Sequence, residues 1–335
     1  MIISKTPYRI SFFGGGSDYP EWYHKNGGVV ISSTINKYIY ISCRELPPFF
    51  RHKHRLVYSK IELIKNISQI KHLVVKKALE KIFDKYSKKG LEIHYDGDFP
   101  SRSGIGSSSS FVVGLLNALN NFYNIKITKD SLANQSLLLE QKILNETVGS
   151  QDQVAATYGG FNEIIFQRNG KHKVNPLITD KKVLRILENN MILVFTGVRK
   201  KSKTANNVAK TYVSNLNKNK KINIIEIMKH AKIAKKLLIE KKFDDFGLLL
   251  DETWQLKREL SNSVTSDRLD SIYKLGLKNG ALGGKLLGAG GAGFFLFYLP
   301  KINRETFLQA FKNFTCIPFK FEKEGSSIIF DDKRN

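Results

Sequence analysis

The residues best suited to chemistry stand in one stretch, PSRSGIGSSSS, from Pro100 to Ser110. Gly104 and Gly106 lie two apart, four serines follow without a break, and then comes FVVGLLNALNNFY, apolar nearly all round. The pattern predicts a glycine–serine loop feeding the first turn of a buried helix. Backbone N–H groups in such a loop can stay unpaired and point outward, backed by the positive end of the helix dipole. That is a phosphate site. Glycine permits both the close approach and the positive φ. Serine hydroxyls can donate to phosphate oxygens or coordinate a hard cation such as magnesium. A flexible linker has the same composition, but a linker is not followed at once by a fully apolar helix.

Other charged residues stand where a charge needs a reason. Arg9 lies between apolar neighbours, where a lone arginine is costly without an anionic partner. Gly14, Gly15 and Gly16 allow close backbone approach, and Asp18 follows; the alternative is a hairpin turn with a solvated aspartate. Glu140 falls on the helical arc of Ala133, Leu137 and Leu144, an apolar stripe where a carboxylate calls for a cationic or metal partner. A slip in the helix boundary would move it to a solvated edge. Asp152, flanked by glutamines, stands just beyond a glycine turn in VGSQDQVAATYGG.

The elements that must hold these residues follow in order. IISKTPYRISFF reads as a strand, then a glycine turn and a short amphipathic piece. Gly28 to Cys43 alternates and is rich in β-branched residues, which predicts paired strands. Residues 44–60 read as basic and irregular, and a helix is expected over Ile70 to Lys88, ended by Gly90. LEIHYDGDFP is a strand delivering the chain into the phosphate loop. Thr128 caps a helix through about Asn145. FNEIIFQ and MILVFTG are strands, and the polar stretch 168–190 between them is expected to divide two domains, 1–180 and 181–335. Three helical stretches occupy roughly 204–279, GGKLLGAGGAGFFLFYL is a second glycine loop leading into a strand, and IPFKFEKEGSSIIF reads as a β-hairpin.

At 335 residues the length suits two domains. Cys43 and Cys316 are the only cysteines, so a disulfide framework and zinc-ligand spacing are both excluded, and a reduced cytoplasmic setting is expected. MIISKTPYR lacks the apolar core of a signal peptide, and FFLFYLP is too short to span a bilayer. The net charge of +24 suits phosphorylated substrates as well as nucleic acid, but the lysines are scattered over helical stretches rather than gathered with aromatics. No nucleic-acid or membrane partner is expected, and a homodimer is compatible with the sequence.

Several look-alikes fail. Gly288, Gly290 and Gly293 satisfy G-x-G-x-x-G but precede a strand instead of opening a helix. Asp245-Phe246-Gly247 sits mid-helix without an HRD catalytic loop. No G-x-x-x-x-G-K-[ST] occurs, and none of the seven histidines has metal spacing.

What remains is three glycine motifs in order: PYRISFFGGGSD, then P-x-x-x-GIGSSSS, then KLLGAGGAGF. Together they resemble the GHMP kinase superfamily over nearly the whole chain, and GGGSDYPEW looks most like the branch that phosphorylates manno-heptose 7-phosphate, with the fucokinase domain close by. The resemblance implies a two-domain α+β fold, with an N-terminal ribosomal-protein-like domain, a C-terminal ferredoxin-like domain and the active site between them. It implies ATP and Mg²⁺ as cofactors. Pro100, Ser103, Gly104, Ile105, Gly106, Ser107, Ser108 and Ser109 would wrap the ATP phosphates, with Ser108 and Glu140 on the metal. Asp152 would take the proton from the attacking hydroxyl, with Arg9 beside it keeping it ionised. Gly15, Gly16, Ser17 and Asp18 would hold the sugar, and Gly288, Ala289 and Gly290 would close the site. Ser110 stands where the family usually has alanine.

The implied reaction carries the ATP γ-phosphate to the anomeric hydroxyl of D-glycero-D-manno-heptose 7-phosphate, for nucleotide-activated heptose synthesis. The alternatives are another sugar 1-kinase, fucokinase- or galactokinase-like, and, remotely, a basic nucleic-acid-binding protein. A phosphorylated acceptor needs a second anion site. Arg199, Lys200, Lys201 and Lys203, interleaved with Ser202 and Thr204 at the start of an expected helix, offer one; the alternative is a solvated basic turn. Arg199, the one arginine of that cluster, is the candidate contact.

Overall fold

The computed structural model describes residues 1–86, 89–199, 218–261 and 263–332. The chain opens with β1 (Ile2–Phe13), α1 (Pro20–Asn26) and β2 (Gly28–Glu45), followed by β3 (His54–Val57), β4 (Ile61–Ile64), α2 (Leu73–Lys81) and β5 (Leu91–Gly97). Then come α3 (Ser107–Phe122), α4 (Lys129–Leu137), α5 (Gln151–Tyr158), β6 (Phe161–Phe166), β7 (His172–Ile178), α6 (Lys181–Asn189) and β8 (Met191–Phe195). Three helices follow, α7 (Lys218–Ile239), α8 (Phe243–Arg258) and α9 (Asp267–Lys278). The remainder is β9 (Gly283–Leu286), β10 (Phe294–Tyr298), α10 (Arg304–Ala310), β11 (Thr315–Ile317), β12 (Phe321–Glu322) and β13 (Ser327–Asp331).

Two sheets organise these elements. The first runs β13-β1-β2-β5-β3-β4, with β6 and β12 also on β2 and β7 on β6. Gly28 to Glu45 is one strand of 18 residues, not the expected pair. It needs no turn because one edge pairs with β1 while the other is shared in succession by β6, β12 and β5. The second sheet runs β11-β8-β10-β9, antiparallel throughout. Numbered within that sheet the order is fourth, first, third, second, the ferredoxin-like arrangement. The two-domain α+β fold expected from the motifs is therefore present.

β10 explains how the halves join. Phe294, Leu296 and Tyr298 enter the core shared with the first sheet, while Phe295 and Phe297 pack with Trp254, Tyr273, Phe307 and Phe311. A strand buried on both faces reads as a continuous apolar run, which FFLFYL is. The first core is filled from the other side by α3, whose residues from Ser109 to Asn120 are all buried.

Local expectations fail where packing overrides pattern. Residues 44–60 contain β3, recruited as a parallel neighbour of β5. The helix expected over 70–88 spans Leu73–Lys81; residues 87–88 lie outside the described part. Thr128 does cap α4, accepting from Ser131 N, but from Leu138 to Ile143 the helix widens into a π turn. The polar stretch 168–190 holds β7 and α6. Asp245-Phe246-Gly247 lies in the first turn of α8. The C-terminal hairpin is absent: β12 pairs with β2 and β13 with β1, because both long strands offer open edges there. The helix start expected near Thr204, with Lys200, Lys201, Ser202 and Lys203, lies outside the described residues. No described helix is long and apolar enough to cross a membrane.

Candidate active site

A cleft of about 810 Å³ opens between the two halves, and the first and third glycine motifs and the phosphate loop all reach it. Gly104 and Gly106 have φ of 84° and 76°. Gly106 stands just before α3, whose N-terminus carries no side-chain cap, so its first N–H groups are left for a ligand. Ser107, Ser108 and Ser109 line the cleft, and Ser108 is exposed to it. A Cβ on Gly288 would stand 2.5 Å from Gly104 O, so the third motif lies directly against the phosphate loop. Ser110 turns away, its hydroxyl donating to Pro7 O at 3.1 Å.

Arg9, centred on β1 and 3% exposed, forks onto Asp152. Nε donates to Oδ1 and Nη2 to Oδ2, each at 2.7 Å, and Nη1 donates to Gly104 O at 3.0 Å. Two parallel charged hydrogen bonds fix the carboxylate plane as well as its position. The same strand donates Arg9 N to Ile105 O at 3.3 Å, so one residue ties the loop to the acid. Asp152 sits in the first turn of α5, where the helix dipole favours negative charge. A Cβ on Gly106 would meet Arg9 Cγ at 3.1 Å and Asp152 Oδ2 at 3.5 Å, so the ion pair lies immediately beneath the loop.

Glu140 is buried on the π turn with neutral donors around it. Ser109 Oγ donates to Oε2 at 2.9 Å and to Oε1 at 3.2 Å, Ser108 Oγ to Oε1 at 3.4 Å, and Gln153 Nε2 closes on Oε2. Burial pushes its carboxyl up to about 8, against the pull of Gln153 and Ser109. A buried carboxylate beside an exposed hydroxyl fits a hard cation. Among the described residues no group of three His, Cys, Asp or Glu could cage one. The protein would therefore supply Ser108 and Glu140 and leave other positions to phosphates and water, as magnesium prefers.

Asp18 is likewise almost fully buried yet reaches the cleft. Gly16 N donates to Oδ1 at 2.9 Å and Gln151 N to Oδ2 at 3.3 Å, while burial, with Asp152 nearby, raises its carboxyl. Gly15, Gly16 and Ala289 line the cleft with it. Four expected contacts support the walls from behind. Ser17 Oγ bonds Gly14 O and Val29 O, Ser103 Oγ bonds Pro100 O, Ile105 gives only its carbonyl, and Gly290 O accepts from Arg199 Nε at 2.8 Å. Arg199 itself is buried and lines the cleft.

Sequence reasoning missed Lys257, Lys285, Gly149 and Gln153. Lys257 was hidden among many other lysines, while Lys285 opens the third motif, KLLGAGGAGF, but was given no role there. Gly149 lies in the turn before Asp152, and only the fold brings Asp18 against it. Gln153 was visible beside Asp152 but read as a flank. Also unread was an aromatic wall running Tyr58, His72, Phe111, Tyr95, whose successive rings lie 4.9–5.3 Å apart.

Comparison with known proteins shows the family. Residues 73–160 match the family described as GHMP kinases N terminal domain, and 234–314 match GHMP kinases C terminal. The chain is 30% identical, over 97% of both chains, to D-glycero-alpha-D-manno-heptose 7-phosphate kinase of Campylobacter jejuni. It is 24% identical to a mevalonate kinase of Saccharolobus solfataricus over 98% of this chain and 99% of the relative. A crystal structure titled as a D-glycero-D-manno-heptose 1-phosphate kinase from Bacteroides thetaiotaomicron superposes with a TM-score of 0.80, at 25% identity and 99% coverage of both chains. With a helix-capped phosphate loop, an Arg–Asp fork under it and this likeness across its length, the chain belongs to the GHMP kinases, phosphotransferases that use ATP as donor.

Proposed function

We propose that this sugar kinase of the GHMP family transfers the γ-phosphate of ATP to the anomeric hydroxyl of D-glycero-D-manno-heptose 7-phosphate, giving the 1,7-bisphosphate. The observation that carries this reading is the fork between Arg9 and Asp152 directly beneath the phosphate loop. It supports a reading in which Asp152 is the proton acceptor for a hydroxyl held by Asp18 and facing the terminal phosphate.

The chemistry needs little covalent help from the protein. The N–H groups at the start of α3, with Ser107 and Ser108, cradle the phosphates, and the loop of Gly288 and Ala289 closes over them. Magnesium, when held by Ser108, Glu140 and phosphate oxygens, supplies charge neutralisation. Asp152 Oδ takes the proton of the attacking hydroxyl, and Arg9 holds that carboxylate in one plane while its own charge faces the developing oxyanion. The aromatic wall of Tyr58, His72, Tyr95 and Phe111 suits the flat base of the nucleotide. Arg199 contacts the acceptor's phosphate. The division near residue 180 separates the unit carrying the loop from the unit carrying Arg199 and the third motif. A cytoplasmic setting, where ATP and sugar phosphates meet, suits such an enzyme, whose two cysteines form no disulfide with one another.

The test is ADP release with ATP and magnesium over a panel of free and phosphorylated heptoses, fucose and galactose, with the product's phosphate located by phosphorus NMR. Preference for the heptose 7-phosphate with a new C1 phosphate is expected. Faster turnover of fucose or galactose, or phosphate placed elsewhere, overturns the reading.

A further inference from the structure

Two lysines in the cleft have no part in the chemistry so far. Lys257, near the C-terminal end of α8, donates to Leu286 O and Gly288 O, both at 2.7 Å. Lys285, on β9 opposite Leu296, donates to Phe12 O at 2.6 Å. Each ammonium has three donors. One on Lys257 and two on Lys285 are therefore left for the cleft that both residues line. Neither lysine is in an ion pair among the described residues. Around Lys257 stand Lys285, Arg9 and Arg199, with Asp18 the opposing charge. Arg9 is already neutralised by Asp152. With both ammoniums protonated, Lys257, Lys285 and Arg199 face one carboxylate, an excess of two positive charges. Such an excess is costly unless an anion offsets it. Desolvation and the neighbouring cations hold Lys257 well below its ordinary value and bring Lys285 down to about 7.

The location matters as much as the charge. The nucleotide's phosphates are served by α3, Ser108 and Glu140. Both lysines also stand near Asp18, and Lys257 near Arg199, on the side where an acceptor held by Asp18 would stand for its hydroxyl to reach Asp152. A phosphate monoester carries close to two negative charges near neutral pH and offers three acceptor oxygens.

We propose that Lys257, Lys285 and Arg199 form a seat for the acceptor's own phosphate, so that this cluster selects phosphorylated over free sugar. The proposal rests on the reading that the acceptor is a phosphorylated sugar, and its test separates the two. The lysines come from two packed elements, one a helix and one a strand, each braced by backbone carbonyls. A seat braced this way is preformed and loses little side-chain freedom on binding.

Initial rates of Lys257→Met and Lys285→Met are compared with wild type on heptose 7-phosphate, the same heptose without phosphate, and ATP. Each variant should raise KM for the phosphorylated heptose by about tenfold or more, while KM for free heptose and for ATP stays within about threefold. A matching rise in KM for ATP would assign the lysines to the nucleotide and overturn the seat, as would equal losses on both heptoses. Because Lys257 also braces the third glycine loop, a wild-type measurement accompanies the variants. Inorganic phosphate should inhibit competitively against heptose 7-phosphate and not against ATP; the opposite pattern also overturns the seat. If wild type does not prefer phosphorylated heptose at all, the reading of the acceptor fails, whatever the variants show.

Discussion

A Cβ on Gly149 would stand 2.0 Å from Oδ2 of Asp18. The turn before α5 thus presses bare backbone against a buried carboxylate, and Asp18 holds its place because residue 149 has no side chain. Gly149→Ala should push Asp18 out of register with Asp152. The expected result is a rise in sugar KM of roughly tenfold or more with ATP KM little changed, read from initial rates with each substrate varied. An unaltered sugar KM would show that Asp18 does not touch the acceptor.

Asp152→Asn keeps the shape of the fork but removes the proton acceptor. A loss in kcat of roughly 10²-fold or more is expected, with nucleotide affinity nearly unchanged. Single-turnover kinetics and a nucleotide titration check the two halves separately. Near-normal turnover rules out Asp152 as the base.

Glu140→Gln should raise the magnesium concentration needed for half-maximal rate more than it raises sugar KM. It should also change stability in a defined direction. The folded carboxyl titrates at about 8, above its unfolded value near 4.5. Its contribution is therefore fully present below about pH 4.5 and is lost as pH rises through about 8, since the folded state binds the extra proton in that window. Thermal melts from pH 5 to 8, without nucleotide or metal, should show a falling trend in wild type that is shallower in the glutamine variant. Parallel slopes would contradict the assignment.

Arg199→Ala should raise KM for the phosphorylated heptose strongly while KM for ATP stays within about threefold. Its Nε bond to Gly290 O is also lost, so Arg199→Lys serves as a companion: it keeps the charge without the fork. Partial recovery of KM in the lysine variant is expected, and equal loss in both would point to the wall rather than the charge.

Much of this site is legible in the sequence because it depends on local backbone chemistry. Glycines at fixed spacing before an apolar helix dictate a loop with positive φ whichever fold surrounds it, and Gly104 and Gly106 adopt it. Glu140 was legible in part: a carboxylate on an apolar stripe calls for a cationic or metal partner, but the side chains that meet it are the neutral Ser109 and Gln153. What stayed hidden depends on sequence-distant contact. Lys257 is one lysine among many until α8 carries it against Leu286 O and Gly288 O. The same limit applies to the fold. A turn-rich tail such as FEKEGSS reads as a hairpin from local propensity, while the open edges of β1 and β2 that capture its two sides lie roughly 290 to 330 residues away.

That capture has a consequence for how the chain is made. Synthesis delivers β1 and β2 first and the strands that finish their edges last. Until Ser327 to Asp331 reach Ile2 to Lys5, the strand that carries Arg9 keeps an unpaired edge, and until Phe321 and Glu322 reach Ile35 and Thr34 so does β2. An open edge is a template for another chain, so the growing polypeptide passes through a long sticky stage in which the phosphate loop already exists beside an incomplete sheet. Ribosome-arrested chains ending before residue 320 should be cut by protease near β1, while chains arrested beyond the exit tunnel after residue 332 should resist.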